Sequence, residues 1–194
     1  IVLEEAPAVQ DNKDRPGVHI FTLSAKSSGV LIKLIEKNLN LIKSNEGINL
    51  GNLCYTVNTG RGSYSHRLGI ITNSIMDLRK KLEFIIKTEL ATYEEQQIFY
   101  NEIRATISDD QKKNPPREAL TKRLTAVTVE MVDDIKSQDN STKIDEICRL
   151  YIQGFDVNWD DLYGKGEYRR LSLPTYPFER RRCWIEIPTN TYRT

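Results

Sequence analysis

Arg67-Leu68-Gly69-Ile70-Ile71-Thr72 is a short, apolar, β-branched run with turn-forming residues on both sides, and it reads as a strand. Upstream, Thr59-Gly60-Arg61-Gly62-Ser63 breaks the chain. Before that break, Leu50, Leu53, Cys54 and Val57 share one face of a short helix spanning Leu50 to Asn58. Earlier still, Leu31, Leu34, Ile35, Asn38, Leu41 and Ile42 recur at helical spacing behind Ser27 or Ser28, either of which can cap. Val18-His19-Ile20-Phe21-Thr22-Leu23-Ser24 reads as a first strand. Downstream, Ser74-x-x-Asp77 resembles a capping box, and Ile75, Leu78, Leu82, Ile85 and Ile86 form an apolar stripe. Ile98 to Ile107 alternates like a third, edge strand; its rival is a helix continuing from Thr92-x-x-Glu95. This order predicts an α+β fold: a small, about three-stranded antiparallel sheet packed with helices.

Beyond the sheet the pattern changes. Asp109 to Arg117 is polar and carries Pro115-Pro116, a boundary. Leu120, Leu124, Val127, Met131 and Ile135 then fall at helical spacing, from Glu118 to Ile135. A polar break follows from Ser137 to Thr142, and Ile144, Ile147, Cys148 and Tyr151 form the last stripe, with Gly154 suited to a helix C-cap. The chain ends in Leu173-Pro174-Thr175-Tyr176-Pro177-Phe178-Glu179-Arg180-Arg181-Arg182-Cys183-Trp184. Proline fixes φ and lacks an N–H, so this segment is neither an ordinary helix nor a central strand. It reads as an extended strap whose rings anchor on a surface.

The bulk numbers exclude several classes. A net charge of +1 gives no global field for nucleic acid or an acidic membrane. No apolar run approaches the roughly 18 residues of a membrane span, and no signal peptide is evident. The three cysteines, Cys54, Cys148 and Cys183, form no C-x-x-C pair, which fits reduced thiols and a cytoplasmic protein. A start at Ile1 rather than Met is read as a piece of a longer protein. The abundance of Lys, Asn and Ile points to an AT-rich bacterial genome.

Four ordered segments resemble modular polyketide synthases. Val2-Leu3-Glu4-Glu5-Ala6-Pro7 is similar to the last strand of a ketosynthase. Leu23-Ser24-Ala25-Lys26 resembles the opening of the linker that follows it. Leu53-Cys54-Tyr55-Thr56-Val57-Asn58-Thr59-Gly60-Arg61, running into His66-Arg67-Leu68, resembles that linker's centre. Gly154 to Trp159 and the terminal strap resemble the segment that closes the ketosynthase–acyltransferase region. Between Ile86 and Lys143, however, the chain is too short for an acyltransferase domain, and the G-H-S-x-G nucleophile motif of that family is absent. The chain therefore resembles the trans-acyltransferase type, in its acyltransferase docking, or ketosynthase-flanking, domain.

That resemblance implies a non-catalytic scaffold without a cofactor of its own, phosphopantetheine being carried on a separate carrier domain. The implied partners are the adjacent ketosynthase, a free-standing acyltransferase and an acyl carrier protein. The alternatives are a passive spacer and, less favoured, a reduced acyltransferase-like enzyme. The expected division is 1–17 ketosynthase tail and linker, 18–108 linker module, 109–163 helical docking region and 164–194 strap. Pro174, Tyr176, Pro177, Phe178, Arg180 and Trp184 are the expected anchors, on a ketosynthase or on the chain's own core.

Other candidates carry ordinary readings. His66 with Ser63 and Ser65 has the residue types of an activated nucleophile, but sequence neighbours seldom provide the oriented base. Thr59 to Ser63 lacks the G-x-x-x-x-G-K-S/T spacing of a phosphate loop and follows a helix, although Arg61 has the charge to meet a carrier arm's phosphate. Asp109-Asp110, Asp133-Asp134 and Asp160-Asp161 read as solvated or capping pairs rather than metal ligands. Arg169-Arg170 and Arg180-Arg181-Arg182 read as interface guanidinium groups.

Overall fold

The computed structural model describes residues 17–45, 47–103, 141–163 and 168–179. The segment Val2 to Pro7, the stripe from Glu118 to Ile135, and Arg180 and Trp184 of the strap lie outside the described residues. A sheet of three antiparallel strands has the order β1 (His19–Ala25), β2 (His66–Thr72), β3 (Ile98–Glu102). β2 is central, with Leu23 opposite Leu68 on one side and Phe99 opposite Gly69 on the other. The expected α+β class is borne out, and alternation decides correctly for a third strand over a helix. Thr92, the rival helix's cap, is instead bonded to Tyr100 of β3: its hydroxyl accepts from the Tyr100 N–H and donates to its carbonyl, both at 3.0 Å. Only a 3-10 turn, Glu94–Gln96, forms there.

Strand alternation sends the two faces to different cores. Phe21, Leu23, Leu68, Ile70 and Ile98 meet the helices α1 (Ser28–Ser44), α2 (Leu50–Thr59) and α3 (Ile75–Lys87) in the larger core. Ile20, Ile71 and Phe99 face the other way, against Ile144, Ile147, Cys148 and Tyr151 of α4 (Ser141–Ile152). The short α5 (Trp159–Leu162) follows, its Trp159 edge-on to Tyr151. The sheet is thus the middle layer of a helix–sheet–helix sandwich. Among the described residues no helix is long and apolar enough to cross a membrane.

Local chemistry explains the helix boundaries. Ser27 rather than Ser28 caps α1, its hydroxyl accepting from the Val30 N–H at 3.3 Å. Asn49 and Ser74 cap α2 and α3 in the same way. The capping box of α3 is only half made, because the Asp77 carboxylate accepts from the Thr72 hydroxyl and pairs with Lys81 instead of reaching back. On α1, Leu39 is buried and Leu41 only half-buried, so the apolar face is turned slightly from the expected one.

α4 ends as expected at Gly154, whose φ of 105° is in the region that favours glycine. Its N–H donates to the Tyr151 carbonyl and that of Phe155 to Leu150, the paired bonds of a Schellman cap. Gly154→Ala would place a Cβ 3.1 Å from Ile103 at this φ. The expected cost is about 1–2 kcal/mol, read as a lower denaturation midpoint.

Candidate functional site

The residues of the central motif, read from α2 into β2, converge on two neighbouring places. The first is the outer edge of β1. Asn58 donates to the Ile20 carbonyl at 2.9 Å and to the Tyr163 hydroxyl at 2.7 Å, and accepts from the Thr22 hydroxyl at 2.7 Å. Every hydrogen-bonding requirement visible at this buried amide is met, and part of a sheet edge is covered at the same time. Burial pushes the Tyr163 phenol well above its ordinary pKa, with the neighbouring Cys54 adding to the rise; the bond from Asn58 opposes it.

The second place is the far face of β2. The Arg67 guanidinium is almost wholly buried and donates to three carbonyls: Tyr64 at 3.2 Å, Tyr151 at 3.0 Å and Phe155 at 2.8 Å. It also lies 5.0 Å from the Tyr151 ring centroid and 3.8 Å from Asp156. The beginning of β2 is thereby tied to the end of α4.

The strap crosses the opposite side of the module, over α1, α2 and the Gly60–Ser63 loop. Its main chain is held by side chains of the module. The Arg169 N–H donates to Asn52 Oδ1 at 2.7 Å, and that of Leu171 to Thr56 Oγ1 at 3.0 Å. Lys37 donates to the Thr175 carbonyl at 3.2 Å, and Arg61 donates to the Pro174 carbonyl. Partial burial lowers the Arg61 pKa from its ordinary value. Leu171, Leu173 and Tyr176 lie against the larger core. The Tyr176 hydroxyl accepts from the Lys26 N–H at 3.0 Å, and its ring packs 5.3 Å from that of Tyr64.

A bond from the Phe178 N–H to the Tyr176 carbonyl at 3.0 Å then closes a three-residue turn about Pro177, whose fixed φ suits such a turn. After it Phe178 stands 78% exposed, and Glu179 accepts from the Ser27 hydroxyl at 2.9 Å. Pro174 and Tyr176 are therefore placed on the chain's own module, while Phe178 points outward. Between the loop, β1, Trp159 and the strap remains a cleft of about 350 Å3, lined in part by Asn58, Arg61 and Ser63.

The nucleophile pattern is not assembled by these contacts: His66 Nδ1 lies 2.8 Å from the Tyr100 hydroxyl, and Ser65 is engaged through its carbonyl by the Ile103 N–H. Among the described residues no group of acidic, histidine and cysteine side chains converges as a metal site would require. Cys54 and Cys148 are buried, and desolvation pushes both thiols well above their ordinary pKa. Neither is expected to react with a thiol reagent in the native state within hours, whereas both react in denaturant; mass spectrometry after labelling checks this.

The sheet with helices on both faces, the β1 edge covered by Asn58 and the strap lying over α1 and α2 are the geometry against which the comparisons are set. Residues 19–82 match the family described as CurL-like, PKS C-terminal. The chain is 28% identical over 193 residues to polyketide synthase PksN of Bacillus subtilis (strain 168), covering 95% of this chain and 3% of that protein. It is 29% identical to PksR of the same organism over 188 residues, covering 95% of this chain and 7% of that protein. The chain thus spans less than a tenth of the length of these curated relatives. Among solved structures, the ketosynthase from module 6 of the bacillaene synthase of Bacillus subtilis 168 is similar, at 25% identity with a TM-score of 0.64. The match covers 84% of this chain and 26% of that one. The chain is thus similar to a ketosynthase-related region of modular polyketide synthases, and the resemblance expected from the motifs is borne out.

Proposed function

We propose that this region is a non-catalytic scaffold of a trans-acyltransferase polyketide synthase, which flanks the ketosynthase and recruits a free-standing acyltransferase. One observation carries the non-catalytic part. The motif residues with chemical potential, Asn58, Arg61, His66 and Arg67, all have structural partners, and three of them bind main-chain carbonyls. The shortness of the sequence between Ile86 and Lys143 supports the recruiting part, because a separate acyltransferase must then be brought to the module. Recruitment raises the effective concentration of acyltransferase beside the carrier protein, so a modest affinity suffices. No cofactor is required by such a role.

Calorimetry of the chain joined to its ketosynthase, titrated with the cognate acyltransferase, tests this. Saturable binding at micromolar concentration is expected; no heat and no co-elution, with or without the ketosynthase, overturns recruitment. The seating of the strap on its own module favours a second reading, a passive spacer. Under that reading, deleting the region impairs ketosynthase folding and leaves acyltransferase association unchanged.

A further inference from the structure

Arg61 differs from the other arginines with engaged side chains. Arg67, Arg79 and Arg149 each pair with a carboxylate. Arg61 is half-buried, and among the described residues its guanidinium meets only the Pro174 carbonyl, through Nη2. Its Nε and Nη1 are left without an acceptor. A cation drawn part-way out of water is costly unless an anion joins it. Arg61 lines the cleft of about 350 Å3 beside the Gly60–Ser63 loop. Small-molecule sites occupy roughly 300–1,000 Å3, so the cleft has room for one. Among the described residues no acidic side chain lines it. Lys26, whose Nζ lies 5.8 Å from the ring centroid of Tyr64 in the cleft wall, adds a further positive charge. A cleft lined by one sign of charge concentrates ligands of the other.

The loop beside Arg61 offers donors and withholds an acceptor. The Ser24 hydroxyl donates to the Gly62 carbonyl at 3.0 Å and accepts from the Tyr64 N–H at 3.1 Å, which fixes the loop. Among the described residues the N–H groups of Gly62 and Ser63 meet no acceptor, and both residues line the cleft. A planar carboxylate is satisfied by a guanidinium fork alone, whereas the tetrahedral oxygens of a phosphate also use successive main-chain N–H groups. Deeper in, Leu34, Val57 and Trp159 wall the cleft, which suits an apolar body rather than another charge. The polar groups at that depth, Thr22 and Asn58, are bonded to each other.

We propose that this cleft binds a phosphate ester of a small organic molecule, with the phosphate on Arg61 and the Gly62–Ser63 N–H groups and the organic body toward Trp159. The site binds and performs no chemistry, so it stands beside the scaffold reading and does not depend on recruitment of an acyltransferase.

The test titrates the whole chain with benzyl phosphate, followed by calorimetry and by the NMR signal of the Trp159 indole N–H. Saturable binding with a Kd of about 1 mM or below is expected. Benzyl alcohol, which lacks the anion, is expected to leave the signal in place, and inorganic phosphate, which lacks the body, to bind more weakly. Ser63 is exposed and takes no part in holding the strap, so Ser63→Asp brings a repelling charge to the cleft without disturbing the fold. It should raise the Kd at least about tenfold while the urea midpoint stays unchanged. Arg61→Gln should weaken binding as much, and Arg61→Lys, which keeps the charge but not the fork, should fall between. The diester methyl benzyl phosphate separates the sources: binding of the monoester alone points to a free metabolite, binding of both to a phosphate esterified on each side, and either upholds the site. No saturation by about 10 mM overturns the proposal. So does an equal response to benzyl alcohol, inorganic phosphate binding as tightly as the ester, or an unchanged Kd in Ser63→Asp. No acyltransferase enters these measurements, so their failure is distinct from failure of recruitment.

Discussion

Arg67→Leu is expected to destabilise the fold by about 3–5 kcal/mol, since each of several buried carbonyls left without a donor costs about 1–3 kcal/mol and the structure relaxes only in part. The carbonyls concerned belong to Tyr64, Tyr151 and Phe155, two of them at the end of the outer helical layer. Leucine fills much of the space above Tyr151 but has nothing to donate. Arg67→Lys retains the charge yet cannot fork, so it reaches fewer of the three acceptors and costs an intermediate amount. The measurement is urea denaturation: the midpoint falls in both variants, with the leucine variant lower. An unchanged midpoint for Arg67→Leu would show that the clamp contributes nothing to stability.

Gly69→Ala is expected to be nearly as damaging, at about 3 kcal/mol, although it adds a single methyl group. A Cβ at this position on β2 runs into the Cys148 sulfur, and Ile152 lies 3.6 Å away. The glycine therefore sets the distance at which α4 settles on the sheet. A double-mutant cycle separates this collision from other effects. Cys148→Ala removes the sulfur and costs about 1 kcal/mol alone. Combined with Gly69→Ala it should recover about 1–2 kcal/mol of the glycine variant's loss. Strict additivity of the two changes would rule out the collision as the cause.

Neither Arg67 nor Gly69 announces its role in the sequence. The six leading elements were legible because the helices repeat their apolar residues near 3.6, β3 alternates, and β1 and β2 are short β-branched apolar runs bounded by turn residues, all patterns that depend on neighbours alone. Ser74 and Gly154 were legible for the same reason, since a cap is a local arrangement. Arg67 read as the first residue of a strand, and its partners Tyr151 and Phe155 lie more than 80 residues away. Asn58 was legible only as part of a resemblance, because nothing nearby says that it will bond Ile20 and Tyr163. The stripe Ile144, Ile147, Cys148 and Tyr151 was visible, but not that it would cover the sheet's second face; that needs the small residue opposite, Gly69. For the strap, the prolines dictated an extended path and the rings an anchor, while the seat came from Asn52, Thr56 and Lys37, which look like ordinary helix-surface residues.

The strap's ties also bear on the order in which the molecule assembles. Lys26 and Tyr176 are 150 residues apart in the chain, and Ser27 and Glu179 are 152 apart. Closing so long a loop costs entropy before any contact repays it, whereas each hairpin-like and helical unit of the module closes over much shorter spans. The barrier to folding is therefore expected to be crossed while the strap is still loose. Weakening it, as in Tyr176→Phe, should speed unfolding and leave the folding rate nearly unchanged, so that only the unfolding arm of a stopped-flow chevron moves. The same order is expected during synthesis: the module's residues are made before the strap's, and the strap's seating then slows the module's opening.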